Sequence, residues 1–287
     1  MGAGQPMAQK SLFLQMVRNK ARAARLSPRT ERAYVGWIRR FIRHHGLRHP
    51  NALGEREVAA FLNHLVVERK VSASMQTQAL CALLFLYDRV LERRLARLQD
   101  LTWARSRARV PVVLTREEVE AVLRELKGTA WVVGMLLYGS GLRLLECLQL
   151  RVKDVDLARG EILVRDTKGG KPRVTVLPAA VREALGAHLE AVRRQHGADL
   201  AHGAGRVELP GALAVKYPGA AREWVWQWVF PAARGYVDRG GGERRRHHVH
   251  ESVIQRAVRA AVARSGINKR ATCHTSLVRD PPAGGWV

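Results

Sequence analysis

Apolar residues recur at helical spacing through most of the chain, but in EILVRDTKGGKPRVTVLP, residues 161–178, that period gives way to two short β-rich runs around a Lys-Gly-Gly-Lys turn. Such a stretch cannot wind into a helix without scattering its apolar side chains around the axis, so it predicts a β-hairpin set among helices. The expected fold class is mainly α with a small β-sheet.

The helical segments fall into two groups. From Ser27, SPRTERAYVGWIRRFIRHHG places Tyr34, Trp37, Ile38, Phe41 and Ile42 on one face of a capped, basic helix. Two further helices are predicted near 55–70 and 72–93, the second burying Leu80, Leu83, Leu84, Leu86 and Tyr87. These make an all-helical domain over 8–95. The Arg-rich, weakly periodic RLARLQDLTWARSRARVP ends in proline and reads as an extended basic linker over 96–111. A second domain, 112–287, opens at LTREEVEAVLREL, where Thr115 and Glu118 form a capping box. After the hairpin, AAVREALGAHLEAVRRQHG and HESVIQRAVRAAVARSG are helical, the latter with Ile254, Val258, Ala261 and Val262 on one side. Residues 198–246 are less regular, yet the aromatics of WVWQWVF predict order.

Charge narrows the function classes. Lys and Arg number 49 against 25 Asp and Glu, a formal net charge of +24, which points to a polyanionic partner, nucleic acid ahead of a merely basic ribosomal or membrane surface. Cys81, Cys147 and Cys273 are widely spaced and form no C-x-x-C, which fits a reducing cytoplasmic compartment and neither a disulfide framework nor a zinc ribbon. MGAGQPMAQK is too polar for a secretory signal, and AWVVGMLLY, residues 130–138, is too short to span a bilayer, so a membrane partner is not expected.

Three groups of residues could carry chemistry. In LLYGSGLRLLECLQLRVKDVD, Gly139 and Gly141 end one helix and present Arg143 as the next begins, with Glu146 three residues on. A guanidinium held by a carboxylate can grip phosphate oxygens with a fixed fork; the same spacing also makes an ordinary surface ion pair. Lys168 and Lys171 occupy the hairpin turn, where an ammonium could protonate a leaving alkoxide or simply be solvated. His247, His248 and His250 lack a second ligand pair at zinc spacing, so no metal or cofactor is expected.

Together, GLRLLECLQLRVKDVD, TKGGKPR and GINKRATCHT resemble the tyrosine site-specific recombinases of the phage-integrase class. GRVELPGALAVKYPGAAREWVWQWVFPA, residues 205–232, followed by RRRHHVHESVIQRAVRAAVARSG, resembles the insert of the integron integrases, placed here at about 198–235. The resemblance implies a SAM-like helical core-binding domain and an α+β catalytic domain closing as a C around duplex DNA. It implies strand exchange without metal or high-energy cofactor, through a tyrosine that forms a 3′-phosphotyrosine while two arginines clamp the phosphoryl group. By the resemblance, Arg143 is the first clamp arginine, Glu146 its supporting acid, Lys168 the acid for the departing 5′ oxygen, His274 the histidine of an H-x-x-R box, and Lys171 a phosphate contact. Double-stranded and folded single-stranded recombination sites are the implied partners, bound as a homo-oligomer in the bacterial cytosol or nucleoid. Trp224, Trp226 and Trp228 are candidates to stack on bases, Trp226 first, with some of the three packed inside the insert; Arg244, Arg245, Arg246 and His247 are further expected DNA contacts.

The chain departs from the family after His274. Thr275, Ser276 and Leu277 follow, so leucine stands where the box places arginine, and Arg279 comes two positions late. Tyr34, Tyr87, Tyr138, Tyr217 and Tyr236 all precede His274, whereas the family's nucleophile follows it. The tail SLVRDPPAGGWV can be encoded so that the frame one base later reads His-Ser-Phe-Ala-Thr-His-Leu-Leu-Glu-Gly-Gly, the family's continuation. A frameshifted, truncated and catalytically defective recombinase is therefore expected, with a DNA-binding remnant that occupies sites without cleavage as the alternative.

Overall fold

The computed structural model describes residues 5–96, 98, 100–105, 112–165, 171–238, 240–273 and 275, with the backbone alone for 5–11. The chain divides into two compact units, Met1–Arg109 and Val110–Val287.

In the first unit Ser27 starts α2 (Pro28–His44): its Oγ accepts from the Thr30 amide at 3.1 Å, and Pro28 supplies a preset first turn. Val35, Trp37, Ile38 and Phe41 recur at helical spacing and are buried against α3 (Glu55–Val67) and α4 (Ala73–Phe85). α4 passes into a π turn at Leu86–Val90. Burying each large apolar side chain contributes about 1.5–3 kcal/mol. Tyr87 brings its hydroxyl with it and donates to Pro50 O at 3.2 Å and Leu53 O at 3.1 Å. Leu84, expected inside, is 43% exposed. Ala79, Ala82, Leu83 and Leu86 define the inward stripe, and at 100° per residue Leu84 falls well off it. A helix that the sequence pattern did not signal, α1 (Gln5–Ala23), adds Phe13, Val17 and Ala21 to the interior with Leu14 packed at their edge, while Leu12 and Met16 stay exposed.

The described part of the stretch expected as a linker carries neither helix nor strand and is fastened to this unit. Asn63 bonds both Asp100 O at 2.9 Å and the Thr102 amide at 2.8 Å, and Gln76 does the same for Thr102 O at 2.7 Å and the Ala104 amide at 2.9 Å. Gln76 is fully buried, which explains a glutamine inside an apolar stripe.

In the second unit the Thr115–Glu118 capping box opens α5 (Arg116–Arg124) with both reciprocal bonds in place. α6 (Gly128–Gly139) buries Val132, Val133, Leu136 and Leu137 and touches α5, α8 (Ala179–Ala201) and α10 (Glu251–Arg264). The expected hairpin forms from β2 (Glu161–Val164) and β3 (Arg173–Val176), with a short β1 (Val155–Asp156) on the other side of β2 in an antiparallel β1-β2-β3 sheet. Ile162 and Val164 point into the core, and their cross-strand partners Thr175 and Arg173 share that face. This parity turns Arg173 inward and leaves Val174 and Val176 outside.

α8 continues to Ala201, so the insert boundary expected at 198 lies within a helix. Beyond it, Val207, Leu209, Ala220 and Trp228 close a small core of their own around α9 (Leu213–Lys216) and two 3₁₀ turns. A two-residue ladder pairs β4 (Tyr236–Val237) with β5 (Arg244–Arg245). Among the described residues, no helix is long and apolar enough to cross a membrane.

Candidate functional site

α6 stops where two glycines serve different ends. A Cβ on Gly139 would collide with the ring of Pro178, and Gly141 turns the chain with φ +61°. Arg143 follows as the N-cap of α7 (Leu144–Leu148), and Glu146 reaches back to accept from the Arg143 amide at 3.0 Å. The same carboxylate accepts Arg143 Nη1 at 2.7 Å and a two-pronged fork from Arg173, Nη1 at 3.2 Å and Nη2 at 2.7 Å. The Glu146 side chain is 5% exposed, while Arg143 is 59% and Arg173 36% exposed. Burial pushes the Glu146 carboxyl up, but bonds from the Arg173 guanidinium, the Arg143 amide and the Arg143 guanidinium outweigh it and bring its pKa down to about 2. This is a buried acid gripped from two sides, and not the surface pair that the spacing also allowed.

A second arrangement of the same kind follows. Arg151 precedes a 3₁₀ turn, Val152–Asp154, and Asp154 accepts from its amide at 3.1 Å. Asp154, 5% exposed, also takes Arg165 Nε at 2.6 Å. Arg165 and Arg173 flank residues 166–170, so each stem of the hairpin holds one buried acid of the segment that carries Arg143. Lys168 and His274 lie outside the described residues. Lys171 is exposed. The segment leading to His274 is secured by Lys269, which bonds Glu118 at 2.7 Å and Val113 O at 3.2 Å, and by Cys273, which is buried.

The three tryptophans separate. Trp228 is 8% exposed: its Nε1 donates to Arg246 O at 3.2 Å, Arg151 lies 3.7 Å from its ring centre, and His247 stacks at 5.9 Å. It is the packed member of the run. Trp226 is half-buried with Lys153 Nζ 2.9 Å from its ring centre, and Trp224 is half-buried beside His196 and Arg193. Burial, then the charges of Arg165 and Arg151, push the Lys153 ammonium down despite Asp154. Trp226, Lys153, Arg165 and Pro210 border a cleft of about 140 Å³ that Glu146 also lines.

The basic run divides too. Arg244 and His247 are exposed, Arg245 pairs with Asp238 and Glu243, and Arg246 is committed internally. Its guanidinium makes a fork to Asp199, 2.7 Å on each prong, and reaches Ala232 O at 2.7 Å and Ala233 O at 2.9 Å. These bonds join Ala232 and Ala233 to Asp199 on α8 through the Arg246 guanidinium. His248 bonds Val249 O at 2.8 Å and His250 caps α10, so the three histidines serve separate tasks. Among the described residues no group of three or more His, Cys, Asp or Glu is placed to hold a metal ion.

The residues not foreseen are Arg173, Arg165, Asp154, Arg151 and Lys153. One signal was present: RLLE and RVKD repeat the spacing of an arginine and an acid three residues later, each at a helix start.

The model of the phage integrase family matches residues 112–276, and that of the phage integrase N-terminal SAM-like domain matches residues 13–97. An integrase/recombinase of Escherichia coli is 47% identical over 262 residues, covering 91% of this chain and 78% of the relative. The tyrosine recombinase XerA of Thermococcus kodakarensis is 33% identical over 167 residues, 57% of this chain and 56% of the relative. Among solved structures, the Tn1549 transposon integrase in complex with transposon right end DNA aligns with a TM-score of 0.59 at 15% identity, over 92% of this chain and 84% of that one. A lambda integrase(75-356) dimer bound to a COC' core site aligns with a TM-score of 0.57 at 16% identity, over 93% and 86%. A helical SAM-like unit, a catalytic unit matched along most of its length and a relative sharing almost half its residues lead to one conclusion: the chain belongs to the phage integrase family of tyrosine recombinases.

Proposed function

We propose that this chain grips recombination-site DNA as an integron-type integrase and, in this form, holds the site without completing strand exchange. The observation that carries the reading is Arg143 itself: a cation at a helix start, more than half exposed and tied to a buried carboxylate that stays ionised. Its role is to clamp nonbridging oxygens of the scissile phosphate, with Lys171 as a neighbouring contact, Lys168 protonating the departing 5′ oxygen and His274 completing the phosphate pocket.

The integron-type reading rests on residues 205–232, of which Val207, Leu209, Ala220 and Trp228 form a separate small core, and on Trp226 and Trp224, half-buried aromatics beside cations. Such a surface suits unpaired bases of folded single strands, since each base offers a stacking face whatever its identity. Arg244 and His247 extend the contact along the backbone.

Loss of turnover follows from the box. Leu277 stands at the position of the second clamp arginine, and an apolar side chain leaves transition-state charge uncompensated. A lost donor of this type costs about 3–4 kcal/mol. Tyr87 is buried with its hydroxyl bonded to two carbonyls, so it offers no free nucleophile. The codons for 276–287 test the frameshift: bases unable to give the shifted peptide exclude it.

Binding is tested by anisotropy on a duplex site, a folded single-stranded site and scrambled DNA over a salt series. Site-preferring binding with a steep loss of affinity on added salt is expected. Equal binding to scrambled DNA would leave only a basic surface.

A further inference from the structure

We infer that Arg173 is a positioning residue whose task is to neutralise Glu146, so that Arg143 keeps its charge for a phosphate. The inference rests on the reading above that Arg143 contacts DNA. Arg143, Glu146 and Arg173 together carry one net positive charge. Glu146 takes both prongs of Arg173 but only a single guanidinium nitrogen of Arg143. Arg173 is therefore the carboxylate's main partner, and it is inward-facing because of its register opposite Val164. Were it absent, Arg143 and Glu146 would sum to zero, and the stronger fork geometry would become available to Arg143 itself. A guanidinium drawn into that fork presents fewer donors outward and no net charge to an anion.

A supporting acid beside a phosphate-binding arginine has an inherent drawback, since it orients the cation and cancels it at once. Arg173 removes the cancellation and leaves the orientation. Its place at the start of β3 also makes that supply of charge conditional on hairpin register: a one-residue slip would turn it to the outer face, where Val174 and Val176 now sit.

The test is a charge-balance cycle, read as the salt dependence of binding to the duplex site by the full chain, the parent set against Arg173→Gln, Arg173→Lys and the double variant Arg173→Gln/Glu146→Gln. Arg173→Gln is expected to lower the slope of log affinity against log salt by about 0.9, one phosphate contact. Arg173→Lys keeps the charge and should keep the parent slope. The double variant removes the acid together with its neutraliser and should recover the parent slope. A parent slope in Arg173→Gln overturns the inference, and so does a double variant no better than the single one, which would make Arg173 a DNA contact in its own right. If Arg173→Gln does not fold, Arg173→Lys decides: a reduced slope in a folded lysine variant overturns it. A parent chain without salt-dependent binding instead sinks the DNA reading itself, and this inference with it.

Discussion

Arg143 and Arg151 occupy the same local device and put it to opposite uses. Each precedes a short helical turn, each has an acid three residues later accepting from its amide, and each acid is also held by an arginine from one stem of the β2–β3 hairpin. Yet the Arg143 side chain is 59% exposed, while Arg151 is 8% exposed as a residue. Arg151 turns inward to Trp226 O at 2.6 Å, Glu208 O at 2.7 Å and the face of Trp228, and so fastens residues 208–228 to the turn that follows α7. The backbone motif fixes where a guanidinium starts; what surrounds it decides whether it serves the fold or a ligand.

The largest way to break this comparison is Arg151→Ala. It strands two partly buried carbonyls and takes the guanidinium from the Trp228 face, and charged hydrogen bonds of this kind are worth about 1.5–3 kcal/mol each, so a loss of about 3 kcal/mol is expected in urea unfolding of the second unit. Arg143→Ala should cost less, about 1–2 kcal/mol, since Arg173 and the Arg143 amide still hold the buried Glu146, and should instead weaken DNA binding. Equal destabilisation by the two would dissolve the distinction.

Next in size is Gly139→Ala, which tests whether the turn before Arg143 is set by close approach. Its methyl group meets the Pro178 ring, and overpacking of this kind costs about 1–3 kcal/mol. Alanine at Gly186, which has open space around it, is the control and should melt at or above the parent temperature.

Acid then separates Glu146 from its surroundings. Its folded pKa, about 2, lies below the ordinary 4.5, so its contribution to stability is complete above 4.5 and is lost as pH falls towards 2. Melting followed across that window should flatten in Glu146→Gln. An unchanged slope would mean that the carboxylate is not held as described.

The smallest effect lies in the first unit. His44 lies tilted 4.4 Å from His64 and meets His45 edge-on at 4.8 Å, and burial, then the charges of His64 and His45, hold its pKa below 6.5 against the pull of Glu68. Its neutral form belongs to the fold, so stability present above pH 6.5 should fall as pH drops below it. His64→Gln should lessen that fall by a few tenths of a kcal/mol. An identical pH profile in the variant would remove His64 as a cause.

How much of this was legible in the sequence follows the physics of each signal. Helices with wide apolar stripes, the capping box at Thr115 and the hairpin at 161–178 are local patterns, and each was readable. α1 was missed because Phe13, Val17 and Ala21 are a narrow stripe, and Leu84 was misplaced because an apolar residue can stand beside a core-facing stripe. Arg143 and Glu146 were found from spacing alone. Arg173, Arg165 and Arg151 were not, because their partners lie across the sheet or in the insert, and only strand register brings them together. The run RRRHH looked uniformly basic, whereas Arg246 is internal and Arg244 external, a difference made by Asp199 on α8.

The most direct measurement of the whole account incubates the purified chain with duplex and folded single-stranded recombination sites carrying a nick that traps cleaved product, followed by denaturing electrophoresis. The account predicts a salt-sensitive complex that dissociates completely in denaturant. A band of protein covalently joined to the oligonucleotide would contradict it.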